Sequence, residues 1–309
     1  MPKKKKTISG KLIIGILVLA IIGTIIILAA LSNNHKSFLG SDVATIYITG
    51  PISVGASEGI LSSEGTSSTE IIRFIDEADK DQNIKAIIFE INSPGGTAVA
   101  SKEIADRIKK VKKLKIAVIR EAGVSGAYWV ASACDKIVAN DLSIVGSIGV
   151  ISSYLEFSGL FDKYNITYQR MISGKYKDIG SPFKQLTNDE EQKLQGQLDS
   201  IHNYFVSEVA KNRGIDKTKA AELATGEFFI GFDALELGLV DILGDKDTAK
   251  TILEQELNTT KINFIEYKRR TSILDVFSSI MSKQSFFVGK GVGSEMFKIS
   301  KNNRIEILT

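Results

Sequence analysis

Twenty residues from Leu12 to Leu31 carry no charge. At about 1.5 Å of rise per residue, a helix of that length spans the roughly 30 Å hydrocarbon core of a bilayer. The pattern therefore predicts a transmembrane anchor. The apolar part of a cleaved signal peptide is shorter, about 7 to 15 residues, and Leu-Ala-Ala-Leu-Ser makes a poor cleavage site. A polar linker, residues 32–41, follows. Beyond it the period changes repeatedly. Val43–Thr49 reads as a strand, and Ile84–Ile91 is a nearly continuous apolar run of the kind buried on both faces of a parallel sheet. Ile104, Ile108 and Val111 recur at helical spacing and predict a helix over Ala98–Lys112. Strand and helix continue to alternate through Ile116–Ile119, Ser125–Ala133, Lys136–Ala139 and Gly146–Ser152. This alternation predicts an α/β fold with parallel strands.

Two Ser/Thr-x-x-Glu patterns, Ser67 to Glu70 and Thr187 to Glu190, read as helix-starting capping boxes. The second opens a long helix to about Arg213. A short helix, Phe232–Leu237, and a strand, Leu239–Leu243, come next, and from Thr251 the pattern loosens. A helix over Ile273–Met281 and an alternating tail, Asn302–Thr309, are weaker features of the last sixty residues. The expected organisation is a basic segment (1–11), an anchor (12–31), a linker (32–41), an α/β domain (42–250) and a C-terminal extension (251–309).

Charge fixes the orientation of the anchor. Residues 1–11 carry five lysines and no acid, and removing those five from the formal net charge of +3 leaves the rest at −2. The lysines precede the anchor, so the N-terminus is expected in the cytoplasm and the α/β domain outside. Nothing in the remaining charge suggests a nucleic-acid partner.

The residue inventory narrows the chemistry. Cys134 is the only cysteine, so no disulfide framework and no CxxC site exists within one chain. His35 lies in the linker, and His202 lies among the apolar positions of the long helix. Neither suits a catalytic base, and HExxH spacing is absent, so a Ser-His-Asp triad and a zinc hydrolase are both disfavoured. No phosphate-loop or dinucleotide fingerprint occurs, and no metal or cofactor is expected. Ser125 falls at a strand-to-helix turn within Glu121–Ala133, where glycines and the free amides of a helix start suit a developing negative charge. A helix N-cap serine would read the same way. The turn Asn92-Ser-Pro-Gly-Gly96 is open to two readings, an amide aimed at a ligand or a plain turn.

In order, Asn92-Ser-Pro-Gly-Gly96, Gly123-Val-Ser-Gly-Ala-Tyr128, Gly146-Ser-Ile-Gly149 and Gly174-Lys-Tyr-Lys-Asp178 resemble the signal peptide peptidase A family of membrane-anchored serine proteases, peptidase S49. The resemblance implies a Clp protease/crotonase-like fold of repeated strand-helix units behind one transmembrane helix. It makes Ser125 the nucleophile, Lys177 the base and Ser147 the residue that orients the lysine. Backbone amides of Gly96 and Gly126 are the expected oxyanion donors. A lysine base must be neutral, and a free lysine is not until about pH 10.4, so an apolar, water-poor site is required.

The implied substrates are remnant signal peptides and other hydrophobic peptides at the membrane. The implied assembly is a homo-oligomeric ring of eight. Double-length relatives carry the lysine in the first half and the serine in the second, so neighbouring subunits of this shorter chain are expected to share the dyad. Two rivals use the same groove differently: a crotonase-like acyl-CoA enzyme, and a non-catalytic membrane scaffold or peptide-sequestering immunity factor. The external location argues against the first, because CoA is cytosolic.

Overall fold

A computed structural model of the chain describes residues 23–24, 41–55 and 65–268. The expected anchor, apart from Gly23 and Thr24, lies outside these residues, as do Ile273–Met281 and Asn302–Thr309. Among the described residues no helix is long and apolar enough to cross a membrane. Contacts divide the chain into a unit ending at Glu266 and a second beginning at Tyr267, and the fold is that of the first.

Three long strands form its centre: β1 (Ser41–Thr49), β4 (Ile84–Ser93) and β5 (Leu114–Val124). A short parallel pair, β2 (Ile52–Ser53) and β3 (Thr66–Ser67), lies between the first two in sequence. The sheet continues through β6 (Lys136–Ala139) to β9 (Ile242–Leu243), with β1, β4, β5, β6 and β9 in parallel register. On the other side of β1 stands β10 (Ile262–Tyr267). A branch leaves near the end of β5, where β7 (Ile144–Gly146) pairs parallel with Ala122–Val124 and then antiparallel with β8 (Phe228–Ile230). The α/β alternation thus gives the predicted parallel pairing from β1 through β9, with an antiparallel pair at the branch.

Both faces of the centre are covered, which is why its strands read as continuous apolar runs. Val43, Ala86, Ile88, Ile116, Val118 and Val138 pack on Ala249, Ile252 and Leu253 of α8 (Lys246–Glu256). The alternate positions Ile87, Phe89 and Ile91 are also fully buried. Helices α1 (Ser68–Lys80), α2 (Ala98–Lys110) and α3 (Gly126–Ser132) pack along this part of the fold. Every residue of α3 is buried, and Trp129 stacks on Phe205 at 4.6 Å and 11°. Phe205 belongs to α5 (Asn188–Arg213), which follows α4 (Ser158–Lys163). The set is completed by α6 (Lys217–Leu223) and α7 (Gly231–Glu236).

Several local expectations change. The capping box at Thr187–Glu190 forms, but the one at Ser67–Glu70 does not. The Ser67 hydroxyl donates instead to Val54 O at 3.1 Å, tying α1 to the neighbouring loop. The strand expected over Gly146–Ser152 ends where it was to begin. Ser147 adopts φ 49° and gives its N–H to Glu227 O, which turns the chain out of the sheet. Conversely, α8 and β10 form where the pattern loosens, and α8 runs across residue 250. Its start is fixed by a capping box of Asp245 and Thr248.

The C-terminal end of α5 is fastened to the sheet by one buried cation. Arg213 donates to both carboxylate oxygens of Asp241, at 2.6 and 2.9 Å, and to Gly238 O. Asp241 also accepts the Ile137 amide of β6 at 2.7 Å. Burial works to lower the Arg213 pKa, but its bonds and charge contact with Asp241 outweigh that and leave it raised. In the first turn of α3, Tyr128 is wholly buried and donates to Leu239 O at 2.9 Å. Removing the guanidinium leaves Asp241 and Gly238 O short of donors. Arg213→Met is expected to lower unfolding free energy by about 2 kcal/mol, below the roughly 3 to 5 of a fully buried pair, because Asp241 is partly exposed. Urea unfolding checks this: a midpoint equal to that of the parent would remove the fastening role.

Candidate active site

Ser125 sits where β5 ends and α3 begins, with φ 54° and ψ −126°. A side chain with a Cβ rarely holds that conformation, so the surrounding hydrogen bonds must impose it. Two of them are visible: Ser125 N–H donates to Gly146 O at 2.8 Å, and Ser125 O accepts from Trp129 N at 3.1 Å. The serine is therefore clamped between the branch strand β7 and the first turn of α3. Its hydroxyl is partly exposed and makes no hydrogen bond among the described residues.

The Pro-Gly-Gly turn lies directly against this elbow. Gly95 has φ +94°, and a Cβ there would stand 2.7 Å from Gly126 N and 2.9 Å from Ser125 Cβ. Only glycine allows so close a backbone approach. Ser93, wholly buried, holds the turn from beneath: its hydroxyl donates to Gly50 O at 2.7 Å and accepts from Gly95 N at 3.1 Å. Ile52 N donates to Gly95 O, and Thr97 N to Ile52 O, both at 2.9 Å. This parallel bridge leaves the Gly96 amide pointing away from Ile52.

Gly126 completes the arrangement. A Cβ on it would meet Ser101 Oγ of α2 at 2.2 Å and Gly96 N at 3.2 Å. The amides of Gly96 and Gly126 thus occupy one neighbourhood beside Ser125, and among the described residues neither is used in a hydrogen bond. Free, fixed N–H groups next to a hydroxyl suit a developing oxyanion. The turn thus brings the Gly96 amide close to Gly126, the residue after Ser125. Ser93 and Ser101 are site-building residues that sequence reasoning passed over. Ser93 was legible as part of the turn, whereas Ser101 is one small residue in a helix.

Lys177 and Ser147 are placed differently. Ser147, with positive φ, lies just beyond β7 and donates its hydroxyl to Gly226 O at 3.1 Å. Lys177 belongs to a tight turn in which Lys177 N donates to Gly174 O at 3.1 Å, and its side chain is exposed. Among the described residues no hydrogen bond links Lys177 to Ser125 or to Ser147 within the protomer. The turn is part of a segment, Gly149–Leu186, that projects apolar side chains outward: Ile151 is 90%, Leu155 74% and Met171 97% exposed. That segment has its own small cluster, with Phe183 against Phe161 and Tyr168 at 5.7 and 5.3 Å.

The remaining candidates are structural. His202 has Nε2 2.9 Å from Ala224 O at the edge of α5. Cys134 is buried, and burial, with the charge of Asp135, pushes its thiol far above the ordinary range. A cavity of about 710 Å³ opens at the carboxyl ends of β1, β4 and β5, lined by Tyr47, Glu90, Arg120 and Glu121 among others. It does not include Ser125, and its Glu90 is already paired with Arg120 and Lys246 at 2.7 and 3.1 Å.

Comparison with known proteins places these features in a family. The model of peptidase family S49 matches residues 107–260, a span that includes Ser125, Ser147 and Lys177. A putative protease of Methanocaldococcus jannaschii is 32% identical over 305 residues, covering 96% of this chain and 97% of the relative. A putative signal peptide peptidase SppA of Enterococcus faecium is 34% identical over 233 residues, covering 74% of this chain and 68% of the relative. Among solved structures, a lysine-to-alanine mutant of a membrane-bound stomatin-specific protease in complex with a substrate peptide superposes with a TM-score of 0.52. It is 17% identical and covers 80% of this chain and 100% of its own, a likeness of fold. The mixed α/β sheet, the ordered motifs and the full-length relative agree: this chain belongs to peptidase family S49, as a protease similar to signal peptide peptidase A.

Proposed function

We propose that the chain is a membrane-anchored serine endopeptidase in which Ser125 is the nucleophile and Lys177 of a neighbouring subunit is the base. The observation that carries this reading is a division within the protomer. Ser125 and the amides of Gly96 and Gly126 meet at the β5–α3 elbow, while Lys177 lies on an exposed, apolar segment and makes no hydrogen bond to Ser125 among the described residues. Such a segment favours association, since burying apolar side chains against a second copy removes them from water. The proposed assembly is a closed ring of head-to-tail contacts, eight subunits by family resemblance. A lone subunit then has no base at its serine and cannot cleave peptides indiscriminately.

In the proposed reaction, neutral Lys177 takes the Ser125 proton as Oγ attacks the peptide carbonyl. The carbonyl oxygen gains the negative charge and receives the amides of Gly96 and Gly126. Collapse breaks the C–N bond, and the lysine ammonium returns its proton to the leaving amine. Lys177, neutral again, then takes a proton from water as the water oxygen attacks the acyl carbon, and returns it to Ser125 Oγ as the ester C–O bond breaks, which releases the carboxylic acid and restores the serine. Because Ser147 donates its own proton to Gly226 O, its oxygen is left to accept an N–H from Lys177 and orient it. The substrates proposed are remnant signal peptides and similar apolar peptides. The proposed location is the cell membrane, with one pass, the lysine-rich N-terminus in the cytoplasm and the protease outside.

Three outcomes are expected. Ser125→Ala and Lys177→Ala are each inactive on a synthetic signal peptide, and subunit exchange between them restores activity, since some interfaces regain both wild-type residues. Inactivity in demonstrably mixed rings would place the dyad within one subunit. The rate rises with pH, because only the neutral amine accepts the serine proton; kcat/KM constant down to about pH 5 would rule out a lysine base. Gly95→Ala forces the turn off the elbow and is expected to lower kcat by about 10² to 10³, the scale of a lost oxyanion donor. Wild-type kcat in that variant would remove the turn from the chemistry.

A further inference from the structure

The turn that carries Lys177 is held by charges that the reaction itself does not use. Asp189, in the first turn of α5, accepts two bonds on one oxygen: Lys175 Nζ at 2.8 Å and the Tyr176 hydroxyl at 2.9 Å. Two ammonium groups lie near the Tyr176 ring, Lys175 at 4.8 Å and Lys193 at 4.7 Å from its centre. On the far side of Lys177, Asp178 takes both Nε and Nη2 of Arg170, the latter at 2.8 Å. The residues on either side of the lysine are therefore pinned, one side to α5 and the other within the projecting segment. The Asp189 carboxylate also suits its place, since a helix N-terminus favours negative charge. The helix start is fixed in turn by the Thr187–Glu190 capping box, in which buried Glu190 also binds Lys184 at 2.8 Å.

We infer that Asp189 is a positioning residue for the reaction: by holding Lys175 and Tyr176 on one carboxylate oxygen, it fixes the backbone that aims Lys177. The inference rests on the reading of Lys177 as the base. Asp189 and Lys175 are 56% and 70% exposed, and exposed ion pairs are individually weak. The clamp therefore biases the turn toward one geometry instead of locking it. Loss of it should misplace the amine in a fraction of molecules, which lowers turnover and leaves peptide binding alone. Small displacements of a catalytic group are enough to cost rate.

The test compares the full chain in its assembled form with Asp189→Ala, Asp189→Glu, Tyr176→Phe and the double variant Asp189→Ala/Tyr176→Phe, assayed on one fluorogenic apolar peptide. Asp189→Ala is expected to lower kcat about 10-fold, with KM, thermal midpoint and oligomer mass unchanged. Asp189→Glu recovers most of the rate. Tyr176→Phe loses a smaller part, and the double variant is no slower than Asp189→Ala, because both act through one contact. An unchanged kcat for Asp189→Ala would overturn the inference. So would a parallel fall in kcat, thermal midpoint and oligomer mass that Asp189→Glu does not reverse, because that marks a general structural role. Lys177→Ala, run alongside, separates the two levels. If it keeps wild-type activity, the base assignment fails and the inference with it; if it is inactive while Asp189→Ala is normal, only the inference fails.

Discussion

The site depends on one close approach of backbone to backbone. The Pro-Gly-Gly turn after β4 presses on the peptide units of Val124, Ser125 and Gly126, so near that a Cβ on Gly95 would lie 2.9 Å from Val124 O. Such contact is possible only if three strands end in register. The pairing of β4 with β5 is displaced between Ile91 and Ser93, bringing Ser93 opposite Gly123. β7 pairs with the last three residues of β5 and gives its Gly146 carbonyl to the Ser125 amide. Ser93 from below and Ile52 from the side then fix the turn. The strained φ of Ser125 follows from these constraints, and strain held by an over-determined surrounding is common where chemistry occurs.

Much of this was legible in the letters because glycine and continuous apolar runs report backbone constraints directly. Ile84–Ile91 and Lys136–Ala139 announced buried strands, and the predicted bounds of the latter are those observed. What escaped notice depends on distant partners. β10 is a short strand whose place is set by pairing with β1, more than two hundred residues earlier. α8 shows only three buried residues to a periodicity search. Ser147 interrupts an expected strand because Glu227 O, eighty residues on, captures its amide. At Ser67 the cap does not form, and the hydroxyl donates to Val54 O, thirteen residues earlier, a contact that the local pattern does not announce. At the site, Ser125 and the glycine turn stood out, but their contact is tertiary. The clamp on Lys177 was hidden too, since Asp189 appeared only as one letter of a capping box.

The protomer separates rigid and projecting parts. The elbow is built on buried elements: all of α3 is inaccessible, and its Trp129 stacks on α5. The segment Gly149–Leu186 instead exposes apolar side chains and is organised by a few aromatic contacts and ion pairs. α5 joins the two, with its N-terminal turn holding the lysine-bearing loop and its C-terminal Arg213 fastened to Asp241. One long helix thus links the segment that bears Lys177 to the sheet that carries Ser125. This arrangement suits the proposed sharing of the dyad between subunits, since assembly can then bring Lys177 to Ser125 without altering the elbow.

The central claim concerns which Lys177 serves which Ser125. The most direct measurement is the Oγ–Nζ separation in an experimental structure of the assembled chain, taken within each subunit and across each interface. The account predicts hydrogen-bond contact, about 3 Å, across the interface and none within a subunit. Contact between Ser125 and Lys177 of the same subunit would contradict it.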